Sequence, residues 1–247
     1  MRVAVRRLRS ILRTAKPILD ARRVDDVRRE LDWLGRLLGA VRDAEVLSAA
    51  LKADIARLNG GDATRAAGLL DPLQHERRAA RARLLAALDE PRYASLLAAV
   101  RSIADDPPVV DSGRPLDELA AKDVRRIRKQ RPKLLRRLND GQLHKQRIRV
   151  KRARYAAGLV EPSAGKKAAR FVEAAKEVQD VLGAHQDAVV ASHRLRELAR
   201  KSPTRGAALV AGRLLEQQER RRRGTRNEQL APAWRRLRKA SKRAVSG

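Results

Sequence analysis

Two short segments of this 247-residue chain come back a second time, in the same order and at nearly the same interval. RVAVRRLR at 2–9 matches RIRVKRAR at 147–154, an offset of 145. LGAVRDAEV at 38–46 matches LGAHQDAVV at 182–190, an offset of 144. Two ordered matches in one register signal an internal duplication, so the chain is expected to consist of two similar units. Periodicity says what those units are. Val5, Leu8, Leu12 and Ala15 recur at helical spacing, and helices are expected over 24–58, 64–88, 92–104, 116–138, 142–160, 166–200, 207–223 and 228–243. Gly39 and Pro132 are the expected weak point and kink within them. Breaks fall at NGGD (59–62), Glu90-Pro91, NDG (139–141), EPSAG (161–165) and KSPTRG (201–206). No segment reads as a strand. The fold expectation is all-α: two four-helix-type bundles, 1–104 and 116–247, joined by the linker DDPPVVDSGRP at 105–115. The second copy has the 116–138 helix and LHKQ (143–146) ahead of it, whereas only Met1 precedes Arg2. The first bundle is therefore expected to lack a leading helix and the counterpart of His144.

Composition narrows the function. The chain is 43 % hydrophobic but only 2 % aromatic, so Leu, Ala, Val and Ile must build its core. Without cysteine there is no disulfide framework, thiolate nucleophile or Cys zinc site. No run of about 18 apolar residues spans a membrane, and no apolar segment follows the basic N-terminus as in a secretory signal. Lys and Arg number 58 against 29 Asp and Glu, a net charge of +29. Residues 1–115 hold 22 basic and 16 acidic residues, and residues 116–247 hold 36 and 13. Such a chain calls for a polyanionic partner. Of the basic residues 45 are Arg, whose planar fork fits pairs of phosphate oxygens. GC-rich coding also enriches Arg, so position carries more weight than number.

Position is informative at the duplicated helix. Arg2, Arg6, Arg9 and Arg13 fall on one face at i, i+4, i+7 and i+11, while Val5, Leu8 and Leu12 face elsewhere. The second copy repeats the stripe with His144, Arg147, Lys151 and Arg154, spanning roughly 15 Å. Like charges stacked along a helix repel by a few tenths of a kcal/mol per pair. One such stripe is usually a solvated face; keeping it in both copies favours phosphate binding. His144 can donate one hydrogen bond to a phosphate oxygen and accept another elsewhere, though an ordinary surface histidine has the same spacing. His185, standing where the first copy has Val41, is placed toward the core, and His75 and His193 carry no signal. Asp43 and Asp187 are equivalent and are expected to hold an Arg fork in position. The bland alternative is a weak surface ion pair. Arg125, Lys129 and Arg136, on the preceding helix, are weaker phosphate-binding candidates.

RVAVRRLRSILR (2–13), LGAVRDAEVL (38–47), LHKQRIRVKRARY (143–155) and VQDVLGAHQDAVV (178–190) together resemble the CHAD family, the conserved histidine α-helical domains. The resemblance covers nearly the whole chain. It implies two four-helix bundles related by a pseudo-twofold axis, a basic groove between them, and binding of inorganic polyphosphate. It further implies association with polyphosphate granules in some members and, often, a preceding CYTH triphosphatase domain; the cytoplasmic location is the default expectation for a chain without a visible membrane span or secretory signal. The family's histidine and basic positions correspond to His144, Arg147, Lys151 and Arg154, and in the first copy to Arg2, Arg6 and Arg9.

Three other functions compete. Sequence-nonspecific nucleic-acid binding suits the charge and the tracts RRIRKQR (125–131) and ERRRR (219–223). Against it stand the missing zinc-finger, RRM or KH signatures and the scarcity of aromatics for base stacking. An enzyme is not expected: there is no P-loop and no carboxylate cluster for a two-metal site, hence no cofactor and no metal. Membrane-surface binding would need an amphipathic helix with Trp or Phe on its apolar face, and none is visible.

Overall fold

The computed structural model of the chain describes residues 1–58, 60–66, 68–130, 135, 137–201 and 204–244. Among them every regular element is helical, and a single bridge pair, Leu19 with Val109, is the one extended contact. Helix α1 covers Arg2–Ala15 and α2 Ala21–Ile55. Asp20 opens α2 by accepting a hydrogen bond from the Arg22 amide at 2.8 Å. Then follow α3 (Gly60–Arg65), α4 (Asp71–Asp89), α5 (Pro91–Asp105) and α6 (Leu116–Lys129). Helix α7 spans Asp140–Leu159, α8 Glu161–Lys201, α9 Arg205–Gly224 and α10 Leu230–Ala244. No helix among the described residues is long and apolar enough to cross a membrane.

The buried apolar residues fall at matching places in the duplicated segments. Val24, Val27, Leu31 and Leu34 line the buried face of α2, and Ala168, Phe171, Ala175 and Val178 do so on α8. Val5 and Leu12 on α1 correspond to Val150 and Ala157 on α7, and all four are buried. Leu8 packs partly against the same core. One apolar cluster is drawn from residues 5–34 and Leu96. A second joins Val124, Phe171, Trp234 and their neighbours. A third brings Leu51, Leu69 and Leu73 against Leu195, Val210 and Leu214. The segment after α5 is tied back on the α1–α2 corner, where the Asp20 amide donates to the Pro108 carbonyl at 2.8 Å.

Several element boundaries differ from the sequence expectation. Helix α6 stops at Lys129 with Gln130 extended, rather than running on to 138. The ring of Pro132 disfavours helical backbone ahead of it, and the kink expected at Pro132 itself lies outside the described residues. Asn139 does not end a helix; it opens α7 through a capping box with Gln142, both bonds at 2.9 Å. Gly39 leaves α2 unbroken. The expected break at NGGD shrinks, because α3 forms there. The break at EPSAG is real but local: Gly165, at φ 61 and ψ −144, turns the start of α8. The two helices expected at 207–223 and 228–243 are continuous, joined by a π-helical turn over Thr225–Gln229. Pro232 lies just beyond that turn. With no N–H to give and a ring that crowds the preceding turn, it is accommodated where the helix widens.

Candidate functional site

The α1 and α7 helices lie side by side, and their charged stripes meet. A cavity of about 350 Å³ is lined by Arg6, Arg9, Ser10 and Arg13 from α1, Arg28 and Asp32 from α2, and Ile148, Lys151, Arg152 and Tyr155 from α7. Six of its side chains are cations and one is a carboxylate. The Arg6 Nε donates to the Tyr155 hydroxyl at 2.7 Å, pinning the two helices together. A second cavity, of about 600 Å³, continues from Arg6 along the same helices. Arg2, Arg42, Asp43, His144, Arg147, Asp187 and Arg221 lie on its wall.

Crowding leaves an electrostatic record. The ammonium of Lys151 is pushed down to about 8, first by burial, then by Arg147, Arg6, Arg9 and Arg152. Arg2 is lowered by burial and by Arg6 and Arg42, against the opposing pull of Asp43. Arg13 is lowered chiefly by burial, although Asp123, 3.5 Å away, pulls the other way. Asp187 opens onto the cavity, yet its packed surroundings screen the carboxyl from bulk water and raise its pKa; Arg147 opposes this and Asp43 adds to it. The expected equivalents Asp43 and Asp187 thus share the wall of one cavity with Arg2 and Arg147, close enough for Asp43 to act on the Asp187 carboxyl. Two donors at the wall, Ser10 Oγ and one terminal nitrogen of Arg13, have no hydrogen-bond partner among the described residues.

Not every candidate converges, and one that does already has a partner. Arg9 pairs with Asp32, and Gly35 makes this possible: a Cβ there would stand 2.8 Å from the Arg9 guanidinium. Arg154 lines neither cavity; its guanidinium sits over the Tyr155 ring, 4.9 Å from the centroid. Arg125 and Lys129 on α6 also lie outside both linings, and Arg136 lies outside the described residues. His144 is half-buried, its Nδ1 3.1 Å from Gln186 Oε1. His185 is buried as expected, its Nε2 3.1 Å from Asp140 Oδ1 and its Nδ1 3.3 Å from the Arg222 carbonyl.

Five contributors escaped sequence reasoning: Arg28, Arg42, Arg152, Tyr155 and Arg221. Arg42 had a usable signal, since it stands in the repeat where the second copy has Gln186. Arg221 had none. Its fork is held by Asp54, itself 1 % exposed, through bonds of 2.7 and 2.6 Å from across the fold.

A larger cavity of about 800 Å³ adjoins the second, sharing Asp43, His144 and Gln186 with it. Its wall carries four carboxylates, Asp43, Glu76, Asp140 and Glu197, against two guanidiniums, Arg83 and Arg194, and Arg194 is paired with Glu76 and Glu197, so the balance of charge disfavours a polyanion there. Among the described residues no cluster of side chains could hold a metal ion.

The CHAD domain family model matches residues 1–196. Two uncharacterized proteins of Mycobacterium tuberculosis, from strains CDC 1551 and H37Rv, are each 32 % identical over 260 aligned positions. Those matches cover 99 % of the chain and 48 % of each relative, so the chain spans about half the length of the curated relatives it matches. The CHAD domain of the plant Ricinus communis superposes with a TM-score of 0.65 at 27 % identity, covering 98 % of this chain and 80 % of that one. PptA from Streptomyces chartreusis shares the fold, with a TM-score of 0.76 at 22 % identity over 95 % and 87 % of the two chains.

Proposed function

The chain belongs to the CHAD domain family, and from that premise we propose that it binds inorganic polyphosphate without covalent chemistry. In this reading two bundles, 1–104 and 116–247, are related by a pseudo-twofold axis, and the paired cavities form one basic groove between them. The matched burial on α1 with α7 and on α2 with α8 supports the duplication. One observation carries the functional reading: Arg6, Arg9 and Arg13 of the first stripe meet Lys151 of the second, with its neighbour Arg152, around a single carboxylate. Cations converging on one space repel unless an anion is placed among them. A chain of phosphates supplies charge at short, regular intervals and asks for no base-stacking surface. Tyr155 is the aromatic side chain in these linings, and it is engaged by Arg6 and Arg154. Arg2, Arg147 and His144 extend the track, and Asp43 and Asp187 set the positions of Arg2 and Arg147. Binding to a polymer of this kind would place the protein where polyphosphate accumulates, including its granules.

The test is a competition at physiological salt. Labelled long-chain polyphosphate is bound, then challenged with DNA or RNA at equal phosphate concentration. Resistance to displacement supports a groove matched to a bare phosphate chain. Ready displacement makes sequence-nonspecific nucleic-acid binding the better reading. Affinity should fall steeply as salt rises, through counterion release. The Arg147→Glu, Lys151→Glu double variant is expected to lose polyphosphate binding while keeping its helical circular dichroism. Retained binding would reduce the stripe to a solvated face.

A further inference from the structure

We propose a second polyanion site, a cleft between α8 and α10 that engages a distant stretch of the same phosphate polymer. This rests on the polyphosphate reading of the groove and adds to it a preference for long chains. Lys167 and Arg170 project from α8; Arg236, Lys239, Lys242 and Arg243 project from α10. Together they line a cavity of about 630 Å³ with no carboxylate in its described lining. Ala174 and Ala240 form its floor and pack on the core beneath.

The arrangement has the logic of the groove. Lys167, Arg170 and Ala174 stand at i, i+3 and i+7, and Arg236, Lys239 and Arg243 repeat that spacing on the facing helix, so two basic stripes oppose one another. Small alanines between them leave the space open. At the edge of this face Glu177 accepts a hydrogen bond from the Arg236 Nε at 2.8 Å, and the two opposed stripes keep Arg170, Lys239 and Arg243 on the wall of the cleft. The apolar face of α10, with Leu230, Trp234 and Leu237, is fully committed to the core, which leaves nothing to insert into a lipid surface. No aromatic side chain lines the cleft, which disfavours base stacking.

Cleft and groove share α8. Arg170 borders the one and Asp187 the other, a separation of about 25 Å along a helix rising 1.5 Å per residue. A polymer long enough to cover that distance can occupy both sites, and the second contact becomes intramolecular. Tethering of this sort raises apparent affinity by roughly 10²–10⁴-fold with no new contact type.

The experiment compares three proteins on two probes. The probes are polyphosphate too short to bridge the two sites, and long-chain polyphosphate. The proteins are the unaltered chain, an Arg170→Glu, Lys239→Glu, Arg243→Glu cleft variant, and the Arg147→Glu, Lys151→Glu groove variant. The cleft variant should bind the short probe as the unaltered chain does and lose about 10²-fold or more on the long probe. Equal affinity of the cleft variant and the unaltered chain for the long probe would overturn the proposal. A groove variant with undiminished short-probe binding would instead sink the polyphosphate reading of the groove, a separate outcome. An Arg170→Gln, Lys239→Gln, Arg243→Gln variant repeats the comparison should charge reversal disturb folding. If duplex DNA displaces long polyphosphate from the groove variant, the cleft is a nucleic-acid patch and the proposal fails.

Discussion

Lys151 shows what crowding does to a single side chain. Its pKa of about 8 in the folded chain lies below the ordinary 10.5. The fold therefore resists its charged form. Between about pH 8 and 10.5 the folded chain has released this proton and the unfolded chain still holds it, so the free protein gains stability as pH rises through that window. A bound polyanion has the opposite preference, because it needs the ammonium charged. Polyphosphate affinity is thus expected to weaken as pH rises through 8, and Lys151→Arg should flatten the profile, since guanidinium keeps its proton. Titrations from pH 7 to 9 check this; parallel profiles for the two proteins would count against it. Lys151 was legible in the sequence because the stripe repeats. Its neighbour Arg152 and the anchoring Tyr155 were not, since helical spacing alone puts Arg152 off the stripe. Only the angle at which α1 meets α7 brings both into the cavity.

At the level of the helices, spacing and burial were readable and endings less so. The buried faces of α2 and α8 follow the apolar period directly. Separate helices were expected at 207–223 and 228–243, yet the chain runs on through a π turn, with the Thr225 hydroxyl donating to the Arg221 and Arg222 carbonyls at 3.1 and 3.0 Å. Nothing local announces that continuity; the packing of α9 and α10 on α8 imposes it. Helix α2 holds a different compromise. Gly35 lowers its helix propensity by up to about 1 kcal/mol relative to alanine, and its bare Cα admits the Arg9 guanidinium. Gly35→Ala is expected to keep or raise the melting temperature and to weaken polyphosphate binding several-fold by pushing Arg9 aside. Unchanged binding would show that Arg9 adapts without loss.

Across the whole molecule, the two halves are locked together at a polar point inside an apolar seam. Asp54 receives Gln218 Nε2 at 2.7 Å together with the Arg221 fork, beside the cluster that joins Leu51 and Leu73 to Leu195 and Leu214. Removing Asp54 strands the buried Gln218 amide, which costs about 1–3 kcal/mol, while Arg221, 40 % exposed, regains water in exchange for its lost partner. Asp54→Ala should accordingly lower the urea midpoint and free Arg221 from the groove wall; a midpoint like that of the unaltered chain would contradict this. No sequence pattern pointed to Asp54, because its partners lie far along the chain and no repeat marks it.

The convergence of Arg6, Arg9, Arg13, Lys151 and Arg152 has a consequence for the protein's lifetime. An empty copy carries that mutual repulsion in its resting state, and a filled one is relieved of it. By mass action a ligand at a hundred times its dissociation constant stabilises the folded chain by about 2.7 kcal/mol. The same urea titration with polyphosphate present reads that gain, and an unmoved midpoint would deny it. Where turnover removes opened chains, supply of the polymer then governs how many copies persist. On the proposed function the protein would act as a gauge of its own cargo, abundant when phosphate is stored and cleared when the store runs down.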